Sequence, residues 1–120
     1  MVDFVIVAKT WIANLEAGRP TAQEALLRLD SALARARRSG MPAIKVIHGY
    51  GSSGTGGVLR DAIQTALRQM AADGKIQAFV AGEDWRISDE AAWKIQKQVP
   101  ELKHDRDLGR GNKGISIILL

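Results

Sequence analysis

Apolar positions along the chain follow two spacings in turn, and each change of spacing marks a new element. Phe4–Leu15 is rich in Val, Ile and Trp and reads as extended; its best strand is Trp11–Leu15, with Phe4–Ala8 either an earlier part of it or a separate edge. Gly18-Arg19-Pro20 makes a turn. Thr21 stands three residues before Glu24, as in a capping box, and Ala22, Ala25, Leu26, Leu29, Leu33 and Ala36 follow at helical spacing. Arg35, Arg37 and Arg38 crowd the last turn, where the negative end of a helix favours cations, and Gly40 ends it. Ala43–Ile47 reads as a short buried strand. Leu59, Ala62, Ile63, Ala66, Leu67 and Met70 predict a second amphipathic helix, stopped by Asp73-Gly74. Ile76–Ala81 is a third strand. Ser88 is the predicted cap of a third helix, with Asp89 and Glu90 in its first turn and Pro100 beyond its end. Residues 101–113 are polar and irregular, and Ile115–Leu120 is the closing strand.

Strands that alternate with helices predict an α/β domain whose sheet is at least partly parallel, because each intervening helix acts as a crossover. No Pro-, Ser- or charge-rich linker divides the 120 residues, so a single domain over residues 1–120 is expected, with residues 84–110 inserted between the last two strands. An apolar share of 46% with 25% charged residues excludes wholesale disorder. The absence of cysteine excludes disulfides, thiolate zinc sites, iron–sulfur clusters and cysteine nucleophiles. The longest apolar runs, Phe4–Ala8 and Ile115–Leu120, fall short of the ~20 residues that span a bilayer. Met1-Val2-Asp3-Phe4 carries no basic leader, so a cytoplasmic protein without a membrane partner is expected. A net charge of +4 favours an anionic partner without identifying it.

The segment richest in chemistry runs from Ile47 to Arg60, between a predicted strand and a predicted helix. Five of the nine residues from Gly49 to Gly57 are glycine: Gly49, Gly51, Gly54, Gly56 and Gly57. Without a Cβ, such a loop lets backbone N–H groups converge on an anion, and it delivers the chain to a helix N-terminus that attracts one. Ser52, Ser53 and Thr55 add hydroxyl donors, Tyr50 offers a ring, and Arg60 falls in the first turn of the helix. A nucleoside-triphosphate loop does not fit, because Thr55 stands where the phosphate-binding lysine belongs. A dinucleotide fingerprint fits poorly, because more loop follows the glycines and no acid ends the next strand at the required distance. A cradle for a sugar–phosphate backbone and a loop that binds nothing both remain open at this level.

His48-Gly49-Tyr50-Gly51 followed by Gly56-Gly57-Val58-Leu59-Arg60 resembles the signature of the Smr (small MutS-related) domain, which carries H-G-x-G and then a G-x-L-R helix start. Thr21, Glu24, Ala25 and Leu26 match that family's first helix, and Gly109-Arg110-Gly111-Asn112-Lys113-Gly114 matches the approach to its closing strand. The resemblance covers roughly Trp11 to Leu120. It implies a two-layer α/β sandwich with a four-stranded mixed sheet, similar to the C-terminal domain of bacterial translation initiation factor three. It also implies binding of nucleic acid, DNA or RNA, with structure-dependent nicking endonuclease activity in several members. Some members act on branched DNA and others on messenger RNA at stalled ribosomes. The family's opening L-D-L-H-G motif has its counterpart in Leu15-Glu16-Ala17-Gly18-Arg19, where the acid survives as Glu16 and the histidine is replaced by Gly18. That replacement bears on cleavage more than on binding.

Cleavage of a phosphodiester needs a proton carrier and charge stabilisation. His48 has a side chain of suitable pKa, and Arg60 with the loop amides from Gly49 to Gly57 would meet the phosphoryl charge. Glu16 and Glu83 end strands on the expected edge of His48, where they would orient the histidine or hold a divalent ion, Mg or Mn. The bland alternatives are that His48 shapes the loop, Glu16 caps a turn, and Glu83 and Arg60 are ordinary surface groups. Residues 94–113 carry Lys94, Lys97, Lys103, Arg106, Arg110 and Lys113 against Glu101, Asp105 and Asp107. Folded back near the glycine loop, this segment would complete a cationic groove, with Arg110 and Lys113 on phosphates and Tyr50 as the best stacking ring. Trp85 and Trp93 are further possible stacking platforms; the alternative is that they anchor the insertion on the sheet, which is the favoured reading for Trp93. The readings that result are a nicking endonuclease, a non-catalytic module for nucleic acid or a ribosomal site, and a small nucleotide or phosphate binder.

Overall fold

The computed structural model describes residues 3–7, 10–50 and 56–120. Its strands are β1 (Asp3–Val7), β2 (Thr10–Asn14), β3 (Ala43–Ile47), β4 (Ala78–Ala81) and β5 (Ile115–Leu119). Its helices are α1 (Ala22–Arg38), α2 (Gly56–Ala72) and α3 (Glu90–Gln98). The four expected strands form a mixed sheet, and the Phe4–Ala8 run resolves into a separate antiparallel edge, so the order is β1-β2-β3-β5-β4. β2 and β3 are parallel, and β5 runs antiparallel to both β3 and β4. The carboxyl ends of β2, β3 and β4 therefore share one end of the sheet, where ligands of open α/β sheets collect.

α1 begins as its sequence requires. The Thr21 side chain accepts from the Glu24 N–H at 3.1 Å, and Glu24 accepts from the Thr21 N–H at 3.1 Å. It ends with the Met41 N–H bonded to the Ala36 carbonyl and Gly40 in the left-handed region at φ 71°, which glycine adopts without strain. α1 and α2 cover one face of the sheet, where Trp11, Ala13, Ile44, Val46 and Ile118 meet Leu29, Leu33, Ile63 and Leu67. The alternate residues Ala43, Val80, Ile115, Ile117 and Leu119 point the other way and pack against Trp85, Ile95, Val99 and Leu102 of the insertion. The two layers implied by the resemblance are thus present, and the insertion adds α3 and a 3-10 turn, Pro100–His104, over the β4–β5 half of the second face.

Several boundaries differ from the pattern. Asp89 rather than Ser88 caps α3, its side chain accepting from the Ala92 N–H at 3.0 Å. β4 starts at Ala78 because Ile76 is buried in the helix-side core. Leu15 and Leu120 lie just outside their strands, although both still donate to a neighbouring carbonyl. Residues 101–113 are less irregular than their polarity suggests. Trp85 is fully buried and anchors the insertion, which leaves it no face for stacking, whereas Trp93, expected to be the anchor, is 55% exposed, since α3 turns Ala92, Ile95 and Gln96 inward instead.

Gly82 follows β4 under the insertion. A Cβ there would run into the Asn112 carbonyl and stand 2.8 Å from that of Ile115, both rigid backbone atoms. Gly82→Ala is expected to lower unfolding free energy by about 1–3 kcal/mol in urea titration, as overpacking does.

Candidate functional site

β3 delivers His48 to the shared end of the sheet, in register with the start of β5. The His48 and Gly49 N–H groups both donate to the Gly114 carbonyl, at 2.9 and 3.1 Å. The imidazole is fully buried. Its Nδ1 lies 2.7 Å from the Gly49 carbonyl and its Nε2 lies 2.9 Å from Ser116 Oγ. A carbonyl only accepts, so Nδ1 carries the proton and Nε2 accepts from the serine hydroxyl. Burial pushes the His48 pKa below its ordinary value and the Arg60 charge adds to this, against opposing pulls from the Gly49 carbonyl and Glu83.

Arg60 and Glu83 meet on the same helix-covered face. The Arg60 guanidinium donates to Glu83, which a 3-10 turn after β4 carries to that position. Arg60 Nε and Glu83 Oε1 are buried without a partner among the described residues. The pairing runs through the other atoms, Arg60 Nη2 and Glu83 Oε2, and Asp61 lies 3.8 Å from Arg60 Nη1.

Glu16 lies on the opposite face. Leu15 enters the helix-side core, and Glu16, the next residue, lines a groove of about 550 Å³ over β2 and β3. The floor of the groove is Ile12, Ile47 and Ile115, and Gly49, Tyr50, Arg106 and Asn112 stand around it. Glu16 does not cap its turn with its side chain; Asn14 does, its Oδ1 accepting from the N–H groups of Glu16 and Ala17 at 3.0 and 3.1 Å. Arg28 holds the same turn by donating to the Leu15 and Ala17 carbonyls.

A polar chain fixes the far wall of the groove. Lys45 is buried mid-strand and pairs with Asp105 at 3.0 Å and with Asp107. Asp105 also accepts from Trp85 Nε1 at 3.0 Å. Asp107 accepts from Asn112 Nδ2, and Asn112 Oδ1 accepts from the Gly114 N–H, at 3.0 and 2.9 Å. Gly114 is the residue that holds His48 and Gly49. Burial alone would raise the Asp107 pKa, but the bonds from Lys45 and Asn112 outweigh it and hold the carboxyl below its usual range.

The Smr domain family model matches residues 18–87, more than half of the chain. The chain belongs to the Smr domain family. It is similar to the crystal structure of the Smr domain of Thermus thermophilus MutS2, at 26% identity and a TM-score of 0.56, covering 91% of this chain and 95% of that one. No curated protein matches the sequence. The family is associated with nucleic-acid binding and nicking.

Within this Smr domain the three candidate acid–base residues do not converge. His48 and Glu83 share the helix-covered face with Arg60, while the sheet separates them from Glu16. They do not fit a divalent ion: both imidazole nitrogens are engaged, Glu83 is paired, and no metal-holding group of three or more His, Asp or Glu residues occurs among the described residues. Gly51, Ser52, Ser53, Gly54 and Thr55 lie outside the described residues, and Gly56 and Gly57 open α2. Arg110, at the end of the insertion, and Lys113, just beyond it, are exposed beside the groove residues Asn112 and Gly114. Lys45, Asn14, Ser116, Asp107 and Asn112 escaped the sequence reading. A lysine inside an apolar strand was the available signal for Lys45; Ser116 and Asp107 meet partners far away in sequence, His48 and Lys45, whereas Asn14 and Asn112 bond within a few residues and carried the local signal of a turn.

Two outcomes follow from this geometry. Lys45→Met strands two largely buried carboxylates and is expected to cost about 3–5 kcal/mol of unfolding free energy in urea. For His48, the unfolded chain takes up a proton below pH ~6.5 that the native ring refuses. Its contribution is full above that value and falls as pH drops through it, with a slope of up to ~1.4 kcal/mol per pH unit. Unfolding titrations between pH 7.5 and 5.5 are expected to show this slope, and His48→Gln to flatten it.

Proposed function

We propose that this Smr domain binds nucleic acid at the carboxyl ends of β2 and β3, and that His48 shapes the loop rather than moving a proton. The observation that carries the reading is that the cationic insertion and the start of the glycine loop share one groove, tied together through Gly114. The main chain at Gly49 and the cations Arg106, Arg110 and Lys113 are the groups that meet phosphates. Against proton transfer stand the double hydrogen bonding and complete burial of His48, the Arg60–Glu83 pair, and Gly18 at the position of the family's first histidine.

The nicking reading keeps its support from the family and is tested directly. Supercoiled plasmid and structured RNA are incubated with wild type and His48→Ala, with Mg, with Mn and with chelator. The expected result is no cleavage by wild type above that of His48→Ala in any arm. Cleavage by wild type that His48→Ala abolishes would overturn the assignment of His48. Binding of single-stranded and branched oligonucleotides is expected to weaken with salt at a log–log slope of about −0.7 to −0.9 per phosphate contact. Tight, salt-insensitive binding of a mononucleotide would favour the small-ligand reading instead.

A further inference from the structure

The groove over β2 and β3 has most of its polar wall already satisfied. Lys45, Asp107 and Asn112 spend their hydrogen bonds on one another and on Gly114. Three groups remain for a ligand. The first is the Tyr50 ring, 55% exposed, which rests against Gly114: a Cβ added there would lie 3.3 Å from Tyr50 Cδ1. The second is the Glu16 carboxylate, which no hydrogen bond or ion pair holds among the described residues. The third is the exposed Arg106 guanidinium. Beneath them is an apolar floor of three isoleucines.

These groups specify a ligand by elimination. An aromatic ring above an apolar floor takes a flat, weakly polar face. A carboxylate only accepts hydrogen bonds, and it does so best from two adjacent N–H donors. Among the standard bases, the edge of guanine with its ring N–H and exocyclic amine offers that pair. A cation beside them takes a phosphate. Glu16 would occupy the edge that guanine uses in a base pair, and Tyr50 the face that it uses in a stack, so the guanine must be unpaired.

We infer that the groove is a pocket for an unpaired guanine of a nucleic-acid strand, stacked on Tyr50 and read by Glu16. This deepens the proposed function and rests on it. It also gives Glu16 a recognition role on the face of the sheet away from His48.

The test is fluorescence anisotropy with labelled single-stranded 12-mers, DNA and RNA, of thymine or uracil with one central guanine, inosine or adenine. GMP is run as competitor. Guanine is expected to tighten binding about tenfold over adenine, and inosine, which lacks the exocyclic amine, to lose most of that gain. Glu16→Gln is expected to bring the ratio of guanine-strand to adenine-strand affinity to about one, whatever its effect on overall affinity. Tyr50→Ala is expected to weaken every strand about 5- to 100-fold, and Tyr50→Phe to restore binding. Equal affinity of wild type for all central bases would overturn the pocket and leave nucleic-acid binding standing. Failure of a folded protein to bind any strand would overturn both. GMP bound as tightly as the guanine strand would overturn the strand as its source.

Discussion

The ion pair of Lys45 with Asp105 and Asp107 governs the second face of the sheet. A lysine buried mid-strand is tolerable only if its charge is met, and the two carboxylates come from a segment about sixty residues away in sequence. Meeting that charge places the insertion. Trp85 joins through Asp105, and Asn112 and Gly114 join through Asp107, so one cation sets both the wall of the groove and the root of the glycine loop. The two carboxylates outweigh the single charge of the lysine, so it offers a ligand no free cation, and the groove floor is left to Ile12, Ile47 and Ile115.

The sheet also acts as a partition. Alternation along β3 sends His48 toward α1 and α2, and alternation past β2 sends Glu16 toward the groove. The residues on the helix side engage one another: both ring nitrogens of His48 with Gly49 and Ser116, and the charge of Arg60 with that of Glu83. Those on the groove side leave an exposed ring, an exposed cation and a half-buried acid without partners among the described residues. Shape is maintained on one face and recognition is available on the other.

Much of the fold was legible as periodicity. The capping box at Thr21, the glycine after α1 and the Ala43–Ile47 strand stand where local chemistry puts them, because each depends on neighbours within a few residues. The site was legible as residue types and not as roles. His48, Arg60, Glu83 and Glu16 all reach the same end of the sheet, as strand ends should, yet Arg60 and Glu83 neutralise each other and His48 is sealed. Trp93 and Trp85 look alike in sequence, and only the helix register of α3 exposes one while a partner carboxylate buries the other.

Sequence alone determined the elements, their order, the family and the presence of a glycine loop beside a basic insertion. These rest on short-range spacing, on caps and on composition, which a linear chain carries in full. Tertiary structure alone decided which face each functional side chain occupies and which charges are already met. Those depend on contacts between residues far apart in the chain, Lys45 with Asp105 and Arg60 with Glu83 among them, and the energy of a buried charge is set by its partner and by the water it has lost.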